Sequence, residues 1–180
     1  MEVIETKING LKIIKPRVFT DPRGYFFESY NEREFAAKVA AGVTFVQDNE
    51  SRSERGVIRG LHFQTGNFAQ AKLIRCVSGR VLDVAVDLRP DSPTYGQYEA
   101  IELTAENRLQ VFIPRGFAHG FAVLSPEAVF QYKCDNFYAP EAEGGIDPFD
   151  PTLAIRWPFS REEAILSDRD RRHPQFNAAR

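Results

Sequence analysis

Few side chains here can move a proton near neutral pH, and the three histidines, His62, His119 and His173, are the first to consider. An imidazole titrates close to pH 7, so each is a candidate acid or base. His62 lies in the strand-like run RGLHFQ and His119 in IPRGFAHGF, while His173 belongs to a charged tail and reads as solvent-exposed. A strand histidine is more often structural than catalytic, because neighbours readily satisfy both ring nitrogens. Chemistry therefore needs partners. Taking a proton from a carbon beside a ketone requires a base and a cation or donor at the enolate oxygen, with an acid on the opposite face if the centre is to invert. His62, Lys72 and Tyr132 could fill these roles, each on a predicted strand. Singly none is persuasive, since strand lysines are usually solvated and strand tyrosines usually anchor cores. In VLDVAVDL (81–88), Asp83, Ala85 and Asp87 alternate with Leu82, Val84, Val86 and Leu88. The two acids share a face, which is either solvent or the lumen of a small barrel, where they would need His or Arg partners.

The elements that must position these groups read as all-β. Short β-branched and aromatic runs, punctuated by turn residues, extend from Gly10 to about Tyr138. Predicted strands cover 10–15, 23–30, 43–51, 57–64, 72–77, 81–88, 98–103, 108–114, 120–124 and 128–135. One helix is predicted between Asn31 and Ala41, with Asn31 and Glu34 as a capping-box-like start and Gly42 as its stop. Beyond Tyr138 the chain turns loop-like, and the segment around Asp168–His173 either packs back on the barrel or frays.

With 180 residues, 43% of them hydrophobic and 15 of them Phe, the chain is long and apolar enough for one domain with a substantial core, spanning 1–180. A formal net charge of -2 lacks the basic footprint that nucleic acid or an anionic membrane demands, so neither is expected as a partner. The charged start MEVIETKING is unlike a signal peptide, and no apolar run approaches the roughly 20 residues of a membrane span. A cytoplasmic protein is expected. Cys76 and Cys134 lie in strand-like segments away from any CxxC pattern and read as buried free thiols.

Pro114-Arg115-Gly116-Phe117-Ala118-His119 resembles the second motif of the cupin superfamily, whose histidine enters the barrel. In metal-binding cupins the first motif supplies two histidines one residue apart; the matching stretch here is GLHFQ, with Gln64, a poor metal ligand, at the second position. No metal is expected. From about Phe19 to Asp170 the chain resembles the dTDP-4-dehydrorhamnose 3,5-epimerase family, through FTDPRGYFFESY (19–30), FVQDNES (45–51), VIRGLHFQ (57–64), AKLIRCVSGRVLDVAVDLR (71–89), SPTYGQY (92–98), IPRGFAHGF (113–121), YKCDNFYAPEAEGGI (132–146), IRWP (155–158) and LSDRD (166–170).

The resemblance implies a cupin-type double-stranded β-helix, or jelly-roll, barrel with a short N-terminal helix and a peripheral C-terminal segment. It also implies an isomerase without cofactor, acting on a dTDP-linked 4-keto-6-deoxyhexose, and a homodimer whose N-terminal part helps complete the partner's site. His62 would be the base, Asp170 its orienting carboxylate with Asp83 a second acid for that role, Lys72 the stabiliser of charge on the C4 oxygen, and Tyr132 the acid, with Tyr138 the other candidate. Phe19, Arg23, Glu28, Gln47, Asn49, Arg59, His119 and Tyr138 would contact substrate, with arginines suited to the diphosphate. Relatives that invert only C3 or only C5, a non-catalytic sugar-nucleotide-binding cupin and a cupin metal oxygenase are the competing readings.

Overall fold

The computed structural model describes residues 1–176. In chain order its strands are β1 (Glu2–Glu5), β2 (Lys12–Lys15), β3 (Phe19–Asp21), β4 (Gly24–Phe26), β5 (Gln47–Glu54), β6 (Ile58–Gln64), β7 (Lys72–Ser78), β8 (Arg80–Asp87), β9 (Tyr98–Thr104), β10 (Gln110–Ile113), β11 (Phe117–Val123), β12 (Glu127–Cys134) and β13 (Glu143–Gly145), with helix α1 (Glu32–Lys38) between β4 and β5. One antiparallel sheet runs β1-β2-β10-β7-β12-β5 and a second runs β13-β6-β11-β8-β9. This is the all-β jelly roll that the sequence led us to expect.

The sheets close over a core to which both contribute. Ile74, Val111, Ile113 and Phe130 from the first meet Val81, Ala85, Phe117 and Phe121 from the second. Phe121 and Phe130 stack across the gap with ring centroids 4.2 Å apart, a pairing worth about 1 kcal/mol beyond its buried area. On β8 the alternation resolves in favour of the interior for both acids: Asp83 and Asp87 are buried, 1% and 0% exposed. Asp87 is held by Arg89, Ser92 and Thr94, and Asp83 by His119.

Helix α1 starts as expected, with the Asn31 side chain accepting from the Glu34 N–H, but it ends near Lys38 rather than Ala41. The N–H groups of Val39 and Ala40 both donate to the Phe35 carbonyl, which closes the last turn early. Phe35 then pins the helix to the first sheet through edge contacts with Phe45 and Phe112.

Other boundaries also differ. The strand expected over 23–30 shrinks to Gly24–Phe26, because its partner among the described residues is the three-residue β3 across a tight turn in which Asp21 accepts from the Arg23 N–H. The strand expected from Val43 begins at Gln47, since Phe45 is drawn into the aromatic cluster with Tyr30 and Phe35. Three strands were not expected: β1, masked by its charges, the three-residue β3, and β13, masked by its glycines. β13 matters most, because it pairs with β6 directly beside His62, with Gly145 opposite it. The chain after Tyr138 also returns to the sheet: a parallel bridge joins Val57 to Ile165, and a short 3-10 turn, Asp170–Arg172, packs against β6.

Candidate active site

β6 and β11 carry the two interior histidines at paired positions, His62 opposite His119. Such a close approach needs glycine: a Cβ on Gly60, at φ +129°, would lie 2.6 Å from Gly120 Cα. Each imidazole has its own carboxylate. His62 Nε2 is 2.7 Å from Asp170 Oδ1, and His119 Nε2 is 2.7 Å from Asp83 Oδ2. Asp83 thus serves His119 rather than His62, a correction to the shared role the resemblance allowed, because the β8–β11 register places Asp83 beside His119's own strand.

Burial tends to push the Asp170 carboxyl up, but the hydrogen bond from His62 and the nearby imidazoles outweigh it and hold the group below its ordinary value. An ionised carboxylate can only accept, so His62 Nε2 carries the proton and Nδ1 presents the lone pair. A base of defined tautomer results. In the second pair burial dominates, raising Asp83 and lowering His119. Both shifts disfavour charge, as expected where the His119 ring is buried and stacked 6.0 Å from Phe130.

A cavity of about 220 Å³ opens beside His62, lined also by Lys72, Tyr132, Tyr138, Gln47, Asn49 and Glu143. Lys72 begins β7 and Tyr132 lies on the neighbouring β12, so adjacent strands bring them together. The Lys72 ammonium stands 5.7 Å from the centroid of the Tyr132 ring. Burial lowers the pKa of Lys72, opposed by Cys134, Asp83 and Glu143. Burial raises that of Tyr132, so its hydroxyl keeps its proton at neutral pH. An imidazole paired with a carboxylate, a lysine and a protonated phenol therefore share one small cavity, a set suited to carbon-acid chemistry.

Gln64, at the second metal-ligand position of the cupin pattern, is engaged elsewhere: its amide donates to the carbonyls of Phe68 and Phe137 and accepts from the Ala139 N–H. It fastens two loops at the cavity rim.

The remaining expected contacts divide by location. Gln47 and Asn49 are in the cavity and bonded to each other. Tyr138 is half exposed, donating to Glu143 Oε2 at 2.6 Å. Arg59 is outside the lining, bonded to Ser53, yet near enough for its charge to oppose the rise at Tyr132. Phe19, Arg23 and Glu28 lie on the exposed β3–β4 ribbon and its exit, apart from the cavity. The Arg23 side chain is 90% exposed and paired with Asp21. His119 is not among the cavity-lining residues.

Two residues escaped the sequence reading. Glu143 lines the cavity and pairs with Arg169 at 2.8 Å; the only signal for it was the unexpected strand. His173, read as exposed, is buried against His62 and Asp170, because the 3-10 turn folds the tail inward.

A family model for dTDP-4-dehydrorhamnose 3,5-epimerase matches residues 5–178. A protein of that name from Salmonella typhimurium is 51% identical over 99% of this chain and 97% of its own length. The chain belongs to this epimerase family. Among solved structures, the 3,5-epimerase of Elizabethkingia anophelis superposes with a TM-score of 0.95 at 52% identity, covering 99% of this chain and 97% of that one. The Legionella pneumophila dTDP-6-deoxy-D-glucose-3,5-epimerase, solved in complex with dTDP-4-keto-L-rhamnose, gives 0.94 at 46% identity, covering 98% and 93%. The likeness in sequence and in fold thus extends over nearly the whole chain. A larger apolar cleft of about 640 Å³ lies alongside, lined in part by Leu88, Tyr95, Ile146 and Phe176; it shares Phe63 and Gln64 with the His62 cavity.

Proposed function

We propose that this epimerase inverts C5 and C3 of dTDP-4-dehydro-6-deoxy-D-glucose to give dTDP-4-dehydro-L-rhamnose. The C4 ketone acidifies both adjacent C–H bonds. His62 Nδ1 takes the proton, the electron pair moves to the C4 oxygen beside Lys72, and Tyr132 delivers a proton to the opposite face. Asp170 holds the imidazole and offsets the positive charge it gains. Lys72, whose pKa burial lowers, is matched to an oxygen that becomes anionic only as the C–H bond breaks. The observation that carries the reading is the cavity shared by His62, Lys72 and Tyr132, with Asp170 on the far nitrogen of the base.

The exposed ribbon supports a homodimer. Phe19, Tyr25 and Phe26 are 50%, 56% and 68% exposed, and Arg23 projects into solvent beside them. A second copy would cover these rings and carry Phe19, Arg23 and Glu28 to its partner's cavity, with arginine meeting the diphosphate. Among the described residues no helix is long and apolar enough to cross a membrane. The test is to incubate the protein with the 4-keto sugar nucleotide in deuterated buffer and follow C3 and C5 by NMR. Deuterium and inversion at both positions are expected, with or without a chelator. Inversion at one centre would make this a monoepimerase, and binding without exchange would make it a sugar-nucleotide-binding cupin.

A further inference from the structure

His173 is the third imidazole of the chain, and the mechanism above leaves it unused. Its ring packs edge-on against His62 with centroids 5.4 Å apart, and its side chain is 9% exposed. On its other side lies Gly145 of β13, where any Cβ would collide with the ring. The ring is therefore wedged between the base and the strand that flanks it. Its Nε2 is buried, has no hydrogen-bond partner among the described residues and lies 3.3 Å from Asp170 Oδ1, the same oxygen that His62 Nε2 approaches at 2.7 Å. One carboxylate oxygen thus faces two imidazoles, of which only His62 lines the cavity.

We propose that His173 is a positioning residue for the epimerisation: its ring, wedged between His62 and Gly145, holds Asp170 and His62 in place beside the cavity. The inference rests on His62 acting as the base. The charged and titratable groups around His173 are His62 on β6, Glu143 on β13, and Asp170, Arg169 and Arg172 on its own turn. Burial, then the charges of His62 and Arg169, lower the pKa of His173, with Asp170 pulling the other way. The ring is neutral at pH 7 and serves as a packed spacer rather than a second cation.

The experiment compares His173→Ala, which removes the wedge and the nitrogens, with His173→Phe, which keeps a ring and removes only the nitrogens. Expected are a kcat loss of roughly tenfold in the alanine variant with KM changed less than about twofold, and a kcat within about twofold of wild type in the phenylalanine variant, whose ring still fills the wedge. Wild-type turnover in the alanine variant would overturn the proposal, as would an alanine defect confined to KM or one that phenylalanine does not repair. His62→Ala, assayed in parallel, separates the two levels. If it retains turnover, the reading of His62 as base has failed; if it is inactive while both His173 variants match wild type, only the role of His173 has failed.

Discussion

At the scale of residues, the reaction depends on distinguishing two His–Asp pairs that are built alike. Both have a 2.7 Å contact through Nε2, but Asp170 is held ionised next to a cavity while Asp83 is driven toward neutrality in the core. Only the first borders the cavity, which is why the proposed base is His62. The acid is equally distinguishable. Tyr132 lies in the cavity with its pKa raised by burial, whereas Tyr138 is half exposed and its hydroxyl is already committed to Glu143. Replacing Tyr132 with Phe removes the far-face proton and leaves the base intact. The variant is expected to incorporate solvent deuterium at C3 and C5 with retained configuration, while inversion slows by roughly 100-fold or more; NMR of the recovered sugar reads both. The sequence motif supplied His62, Lys72 and Tyr132, but the partnership of Asp83 with His119 was not legible, because it depends on which β11 residue faces which β8 residue. Nor was the burial of His173, which follows from a turn that no periodicity announces.

At the scale of elements, the cavity exists because β6, β7 and β12 present their chemistry inward from two facing sheets. The strands with clear alternation or long β-branched runs, β6 to β9, were legible almost to the residue. Short elements were not, since their existence depends on a partner rather than on their own composition: β13 is EGG and forms only because β6 offers a free edge. Phe130 is the element-level keystone, 1% exposed on β12, stacked on Phe121 and 6.3 Å from the Tyr132 ring. Phe130→Ala is expected to cost about 3–5 kcal/mol of stability, measured by denaturant unfolding. With the sheet spacing relaxed, it should also lower kcat through misplacement of Tyr132.

At the scale of the whole molecule, the cavity of one chain is not lined by Phe19 or Arg23, which the resemblance assigns to substrate, and the β3–β4 ribbon displays both to solvent. The homodimer we propose would resolve the mismatch by exchanging these ribbons. Mixed, refolded preparations of His62→Ala and Arg23→Ala, each deficient alone, should then regain activity, because half the dimers would hold one site built from the intact parts of both chains. About a quarter of wild-type activity is the limit for random pairing. No recovery would mean that each chain builds its site alone. The whole account turns on the imidazole of His62 removing carbon-bound hydrogen, and the most direct measurement is the rate of deuterium uptake at C3 and C5 by folded His62→Ala. Exchange reduced by roughly 1,000-fold or more, with sugar-nucleotide affinity kept within a few-fold, is the expected result. Exchange at near wild-type rates in that variant would contradict it.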